Sequence, residues 1–199
     1  MNHHAMIELI HARRSIGNLS LPIPNDDELT VALNCAITAP DHRQLKPWQL
    51  VVMTGDALVE FGEVLLQAGI AKAQKDQETL DEATRTKLLG LPKRAPMIVM
   101  VATNTKTHPK VPPFEQLLST GALVQNLLLA LQALGYRSIW RTGLLMNEPL
   151  VKAHFGIKTK DTICGFIYVG SSDIVMPSRD VIALDEIVHF KSSATRGQQ

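Results

Sequence analysis

The segment that decides the fold is Ala-Pro-Asp-His-Arg-Gln-Leu-Lys-Pro-Trp-Gln-Leu-Val-Val-Met-Thr, residues 39–54. Pro40 interrupts the helical pattern before it, and Pro47 favours an extended conformation at Lys46. The residues between the two prolines therefore form an ordered, non-helical loop that is rich in hydrogen-bonding groups. The apolar, β-branched run at 50–52 predicts a strand that anchors this loop. A polar loop on a rigid strand is a common place for ligand contacts.

Alternation of apolar runs and helical patterns predicts the architecture. Further strands are predicted at residues 97–102 and 163–169, because both segments are short and continuously apolar. Helices are predicted at residues 5–13, 27–38, 56–90, 114–134 and 147–155. This order predicts an α/β (α+β) layered sandwich, with a central mixed or partly parallel sheet and helices on both faces.

The length fits one domain, which we expect to cover residues 1–191. A small, polar tail at residues 192–199 is expected to be disordered. The helical excursion at residues 56–92 is expected to form either a lid over a pocket or a solvent-facing arm, with a break near Gly69. The helix at 114–134 is apolar on more than half its circumference, which favours burial in the centre or in the interface of a homodimer.

Local signals predict two helix caps. Asn25 or Asp26 is expected to cap the helix at 27–38. Asn147 is expected to cap the helix that contains Pro149 in its first turn.

Composition excludes several classes of protein. A formal net charge of +1, with scattered basic residues, disfavours a nucleic-acid-binding surface. The apolar runs are too short or too interrupted for a membrane span or a signal peptide. Cys35 and Cys164 lack metal-ligand spacing and are expected to be buried free thiols, which favours a cytoplasmic location.

The search for a chemical motif points away from protein nucleophiles and metals. The chain has no G-x-G-x-x-G, Walker, G-x-S-x-G or H-E-x-x-H pattern. No metal site is therefore predicted. Such a chain fits an enzyme whose cofactor carries the chemistry. Arg13, Arg14 and Ser15 could hold a phosphate through charged and hydroxyl donors, or could simply form a solvated helix end.

Three segments together resemble a known family. Residues 39–48, APDHRQLKPW, resemble the A-P-S-x-x-N-x-Q-P-W signature of the FMN-dependent nitroreductase family, and their Asp-His variant resembles its small bacterial NAD(P)H nitroreductase branch. Residues 13–15 and the Ile-Trp-Arg-Thr-Gly segment at 139–143 agree with that family in order and position.

The resemblance implies a nitroreductase-like fold and an FMN site shared by two subunits of a homodimer. One subunit would supply Arg13, Arg14 and Ser15 to the phosphate and ribityl end of FMN. The same subunit would supply Arg141, Thr142 and Gly143 to the flavin. The partner subunit would supply Thr38 and His42. No side chain is assigned a catalytic role, because the flavin would carry the chemistry.

The function implied is an NAD(P)H-dependent FMN oxidoreductase, a nitroreductase. It would take hydride from NADH or NADPH and reduce a small nitroaromatic or quinone-like acceptor by two-electron ping-pong transfer. One alternative is a flavoenzyme with a different physiological acceptor or a dehydrogenase role. The other is a flavin-binding dimer without turnover.

Overall fold

The structure is a computed structural model that describes residues 3–143, 145–177 and 182–191. The tail predicted at 192–199 lies outside the described residues. The helices are α1 (His3–Ala12), α2 (Asp26–Ala36), α3 (Asp56–Lys75), α4 (Glu82–Gly90), α5 (Pro113–Ala133) and α6 (Pro149–His154). The strands are β1 (Trp48–Thr54), β2 (Met97–Thr103), β3 (Arg137–Arg141) and β4 (Thr162–Gly170). Short 3-10 helices lie at His42–Gln44, Pro92–Arg94 and Leu184–Glu186.

The four strands form one sheet in the order β1-β2-β4-β3. Each neighbouring pair is antiparallel, so the prediction of a mixed or partly parallel sheet is wrong in strand direction. β2 and β3 do run in the same direction, since both are antiparallel to β4. However, β4 inserts between them, and no two named strands that share hydrogen bonds are parallel.

Helices cover both faces of the sheet, as predicted. On one face, α2 and α5 pack over inward-facing residues such as Val99, Val101 and Ile167. On the other face, α3, α4 and α6 enclose a core that includes Met100 and Phe166. Burial of every residue of β2 follows from this layering, because apolar surface must be covered on both sides of a central strand.

The strand β3 was not predicted from the sequence. Its five residues, Arg-Ser-Ile-Trp-Arg, begin and end with cations and are too short for a clear period. It lies at the edge of the sheet, where the segment after α1 covers it through a parallel bridge between Ser15 and Ser138. That bridge shields an otherwise unpaired strand edge.

The predicted break near Gly69 is wrong. α3 continues through that residue, and the chain turns only after Lys75. A Cβ on Gly69 would lie 2.6 Å from Leu88 Cδ1, so the glycine permits close packing between α3 and α4.

One of the two predicted caps is correct. Asn25 accepts from the backbone N–H of Glu28, whose side chain accepts from the Asn25 N–H, which completes a capping box. Asn147 does not cap α6. Its amide instead bonds the N–H and the carbonyl of Ile163 at 2.9 and 3.1 Å, and thereby pins the turn before α6 to β4.

The two thiols differ in exposure. Cys164 is buried, and burial raises the pKa of its thiol, although Thr103 partly opposes that effect. Cys35 is exposed on α2, so the prediction that both thiols are buried is wrong for this residue.

A bulge in β4 fixes the edge of the sheet next to β3. The register between β2 and β4 shifts at Val101, opposite Gly165, whose φ is +150°. The Trp140 indole lies over this glycine and donates a 3.0 Å hydrogen bond to the Cys164 carbonyl. A Cβ at Gly165 would collide with the indole ring.

Replacing Gly165 by Ala should therefore lower the free energy of unfolding by about 3 kcal/mol, since it combines backbone strain with a collision. Urea denaturation followed by far-ultraviolet circular dichroism measures this change. Gly90→Ala is the matched control, because nothing lies within 4 Å of a Cβ at that position. Equal stability of the Gly165 and Gly90 variants would contradict the constraint assigned to the bulge.

Candidate functional site

A cavity of about 850 Å³ lies between β3, β4 and the α3–α4 pair; we call it the β3 cavity. Its floor is formed by residues 139–143 together with Phe166 and Tyr168. Its opposite wall comes from α3, α4 and the connection between them. The charged side chains of that wall are Lys72, Asp76, Glu78, Asp81 and Lys87. The cavity thus has an aromatic floor and a wall that carries both signs of charge.

The segment that follows the first motif runs next to the last motif at this edge of the sheet. The segment after α1 runs along β3, where the Ile16 N–H donates to the Ser138 carbonyl at 3.2 Å. At the next residue, a Cβ on Gly17 would lie 2.7 Å from Arg141 Nη2. The absence of a side chain at Gly17 therefore leaves room for the Arg141 guanidinium.

The Arg141 guanidinium contacts the Tyr168 ring, and one of its hydrogen-bond donors has no acceptor among the described residues. Its Cζ lies 5.5 Å from the centroid of the Tyr168 ring, within range of a cation–π contact. Its Nε is buried and has no hydrogen-bond partner among the described residues. Burial raises the pKa of the Tyr168 phenol, while Arg141 and Arg94 partly oppose that rise, so the phenol stays neutral beside the cation. A buried donor without an acceptor is rare in a folded chain, and it marks a place for a ligand acceptor.

Arg13 and Arg14 lie near the start of β3, at the end of this edge strand that is opposite to Arg141. Arg14 lines a second cavity of about 920 Å³ beside α1, the α1 cavity, together with His11 and Arg137. Two acids, Glu8 and Asp173, also line it. Arg14 Nη2 donates to the Pro177 carbonyl at 2.6 Å, which orients its guanidinium, and Ser15 is exposed next to it.

Thr142 and Gly143 follow β3 directly and are exposed at the rim of the β3 cavity. Apart from its chain neighbours, no described residue has an atom within 4 Å of a Cβ position on Gly143. The backbone of this turn is therefore open to a ligand.

The second motif lies at the opposite edge of the sheet. The loop at residues 40–46 precedes β1, whereas Arg141 belongs to β3, and the two edge strands are three inter-strand spacings or about 14 Å apart. The Thr38 hydroxyl donates to the Cys35 carbonyl at 2.7 Å and accepts from Asn126 of α5 at 3.3 Å. Neither Thr38 nor His42 lines the β3 cavity or the α1 cavity.

The loop itself is strained and tightly held. Arg43, Gln44 and Lys46 all have positive φ angles, between 47° and 66°, which non-glycine residues adopt only when their surroundings impose it. The Lys46 N–H donates to the Asp41 carboxylate at 2.6 Å. The Ser119 hydroxyl of α5 donates to the Pro40 carbonyl at 2.7 Å.

His42 is also held by α5. Its Nδ1 lies 2.7 Å from Glu115 Oε2, one helical turn before Ser119. The His42 side chain remains 49% exposed, so its ring projects from the surface of the chain.

Two residues of this arrangement had no signal in the sequence. Glu115 is 73 positions from His42, and Tyr168 belongs to an ordinary buried strand. Only the fold brings Glu115 to His42 and Tyr168 to Arg141.

The sequence model of the Nitroreductase family matches residues 10–171. The chain belongs to the nitroreductase family. It is 36% identical over 168 residues to the Escherichia coli (strain K12) protein named "Putative NAD(P)H nitroreductase YdjA", which covers 84% of this chain and 88% of that protein. The matched range includes the residues of all three motifs.

Solved structures of the family share the fold. The nitroreductase-like family protein from Bacillus cereus superposes with a TM-score of 0.79 at 21% identity, over 96% of this chain and 97% of that one. The FMN-dependent nitroreductase NfnB from Mycobacterium smegmatis, solved in complex with NADPH, gives a TM-score of 0.71 at 18% identity, over 95% and 99%. These matches confirm the predicted nitroreductase-like fold. Within the described residues, no helix is long and apolar enough to cross a bilayer.

Proposed function

We propose that the protein is an FMN-dependent oxidoreductase that takes hydride from NADH or NADPH and passes two electrons to a nitroaromatic or quinone-like acceptor. The observation that carries this proposal is that Arg13–Ser15 and Arg141–Gly143 lie along the same edge of the sheet, where Ser15 bridges to β3 and Arg141 lines the β3 cavity. The similarity to proteins named as NAD(P)H and FMN-dependent nitroreductases supports the choice of cofactor and donor.

The residues at the β3 cavity fit a flavin. Its volume of about 850 Å³ lies within the usual range for small-molecule and cofactor sites. The orphaned Nε of Arg141 offers a donor to a polar ring edge, and the turn at Thr142 and Gly143 offers open backbone. Phe166 adds an apolar surface for a planar ring system. When bound, FMN supplies the hydride and electron chemistry, which explains why the chain needs no nucleophile of its own.

Arg13, Arg14 and Ser15 would bind the phosphate end of FMN. Ser15 pairs with Ser138, and Arg141 lies three residues further along β3, which is about 10 Å in an extended strand. The two clusters are therefore spaced to bind opposite ends of one elongated ligand. Arginine forks and a serine hydroxyl bind phosphate oxygens through charge-assisted hydrogen bonds.

A second subunit would complete the site with Thr38 and His42, because both lie too far from the β3 cavity in their own chain. The helices α1, α2 and α5 expose apolar side chains, which a homodimer interface would bury. They are Met6, Ile7 and Ile10 of α1, Val31 of α2, and Phe114, Leu117 and Leu118 of α5.

Both half-reactions would share the β3 cavity in a ping-pong sequence. The donor binds and leaves before the acceptor enters, so one opening serves both. The wall formed by α3 and α4 is the part of the chain that contacts these substrates and excludes water. Its mixed charges suit acceptors that are polar but uncharged overall.

The purified protein should therefore be yellow or become so with added FMN, and NADH or NADPH should bleach its visible absorbance under anaerobic conditions. Adding a nitroaromatic compound or a quinone should restore the absorbance without oxygen. A colourless protein that binds no added FMN would refute the proposed function. Bleaching followed by no recovery with either acceptor would refute the acceptor class alone.

Replacing Arg13 by Ala should weaken binding of FMN by roughly 1.5 to 3 kcal/mol, because a charge-assisted contact to the phosphate is lost. Riboflavin, which lacks the phosphate, should bind this variant as it binds the native protein. Fluorescence titration of both ligands measures the difference. The control is Lys158→Ala, since Lys158 is an exposed cation in the connection between α6 and β4, away from the bridge of Ser15 to β3. Equal weakening of both ligands would assign Arg13 a structural role.

Mixed dimers test the subunit assignment. His42→Ala and Arg141→Ala chains, each defective alone, should recover activity when unfolded together and refolded. In the heterodimer one site carries both lesions and the other carries neither, so up to about half of the native activity should return if each lesion costs at least tenfold.

The control mixture combines Arg13→Ala with Arg141→Ala. Both residues belong to one subunit's half of the site, so each site of this heterodimer keeps one lesion and little activity should return. Recovery in the control mixture but not in the first would reverse the assignment.

A further inference from the structure

The contact between Glu115 and His42 has a chemical consequence that depends on the proposed function. His42 Nδ1 lies 2.7 Å from Glu115 Oε2, within hydrogen-bond distance. A carboxylate can only accept, so the proton of a neutral His42 ring must sit on Nδ1. The other ring nitrogen, Nε2, then carries a lone pair and no proton.

The surroundings of His42 make this orientation stable. Glu115 lies in the first turn of α5, where the helix dipole favours a negative charge. One turn later Ser119 holds the Pro40 carbonyl, so α5 grips the same loop at two points. The Glu115 side chain is 34% exposed and that of His42 is 49% exposed, which leaves the far side of the imidazole open. Among the described residues, Nε2 of His42 has no hydrogen-bond partner.

We propose that Glu115 is a positioning residue: it fixes His42 in the Nδ1–H tautomer, so that Nε2 accepts a hydrogen bond from FMN bound to the partner subunit. FMN carries two kinds of donor that suit this acceptor, the imide N–H of the ring and the hydroxyls of the ribityl chain. The unprotonated Nε2 of His42 then selects the orientation of the cofactor. The hydrogen bond between Nδ1–H and Glu115 keeps Nε2 unprotonated.

Nitrogen-15 NMR of the holoenzyme tests the first step. At about pH 8.5, above the range in which histidines ordinarily titrate, His42 should show a protonated Nδ1 and an unprotonated Nε2. His42→Ala assigns the signal. In Glu115→Ala no acceptor is left for Nδ1–H, so the signal should move toward the Nε2–H tautomer. Glu82→Ala is the matched control, since Glu82 also lies in the first turn of a helix but does not pair with His42. An unchanged tautomer in Glu115→Ala would overturn the proposal.

The affinity for FMN tests the second step. Glu115→Ala should weaken FMN binding by up to about tenfold, the order expected for the loss of one hydrogen bond between neutral groups. In a His42→Ala background the same substitution should change affinity by less than about twofold, because Glu115 acts only through His42. A tenfold effect that persists without His42 would show a structural role for Glu115 and would overturn the proposal. A native affinity in Glu115→Ala would overturn it equally.

A 3-methyl derivative of FMN identifies the donor. It lacks the imide N–H but keeps the ribityl hydroxyls. If the ring N–H is the donor, His42→Ala should no longer weaken binding of the methylated ligand, whereas an undiminished effect assigns the contact to a hydroxyl. Failure of the native protein to bind any FMN would refute the proposed function and this inference's second step, while the tautomer measurement would still report on the Glu115 contact.

Discussion

The pairing of β2 with β4 constrains the rest of this fold. Both strands are buried almost throughout, so helices must cover the two faces of the sheet and only β1 and β3 are left as edges. The loop that carries His42 leads into one edge strand, and Arg141 lies on the other. A single chain therefore keeps these two motifs apart, and two chains are needed to bring them together in the way we propose.

The sequence predicts those parts of the fold whose signals are local. β1, β2 and β4 are continuous apolar runs, and Gly135, with φ at +92°, ends α5 where the pattern predicts. β3 is different, because its hydrogen bonds to β4 and its bridge to Ser15 stabilise a segment with little strand character of its own. The sequence also could not predict the direction of the strands. It depends on the insertion of β4 between β2 and β3, which no local pattern encodes.

In the candidate site, too, local sequence signals predict some features, whereas others depend on the fold. Its three motifs stand out in the sequence as clusters of polar residues next to prolines or glycines, and the resemblance to the family gives them roles. The structure places Ser15 beside Ser138 of β3 and Arg141 at the end of the same strand. It also supplies contacts that no spacing could indicate, such as Glu115 with His42 and Tyr168 with Arg141, because these partners come from distant helices and strands.

The chain contains two tryptophans, and each lies at one half of the site. Trp48 donates to Ser119 beneath the His42 loop, while the Trp140 indole lies over Gly165 next to Arg141. Indole emission overlaps flavin absorption, so a bound flavin would accept excitation energy from both rings. In the proposed dimer these two donors would belong to different chains at each site. Quenching of the protein's intrinsic fluorescence would thus report the arrival of a flavin at the proposed site.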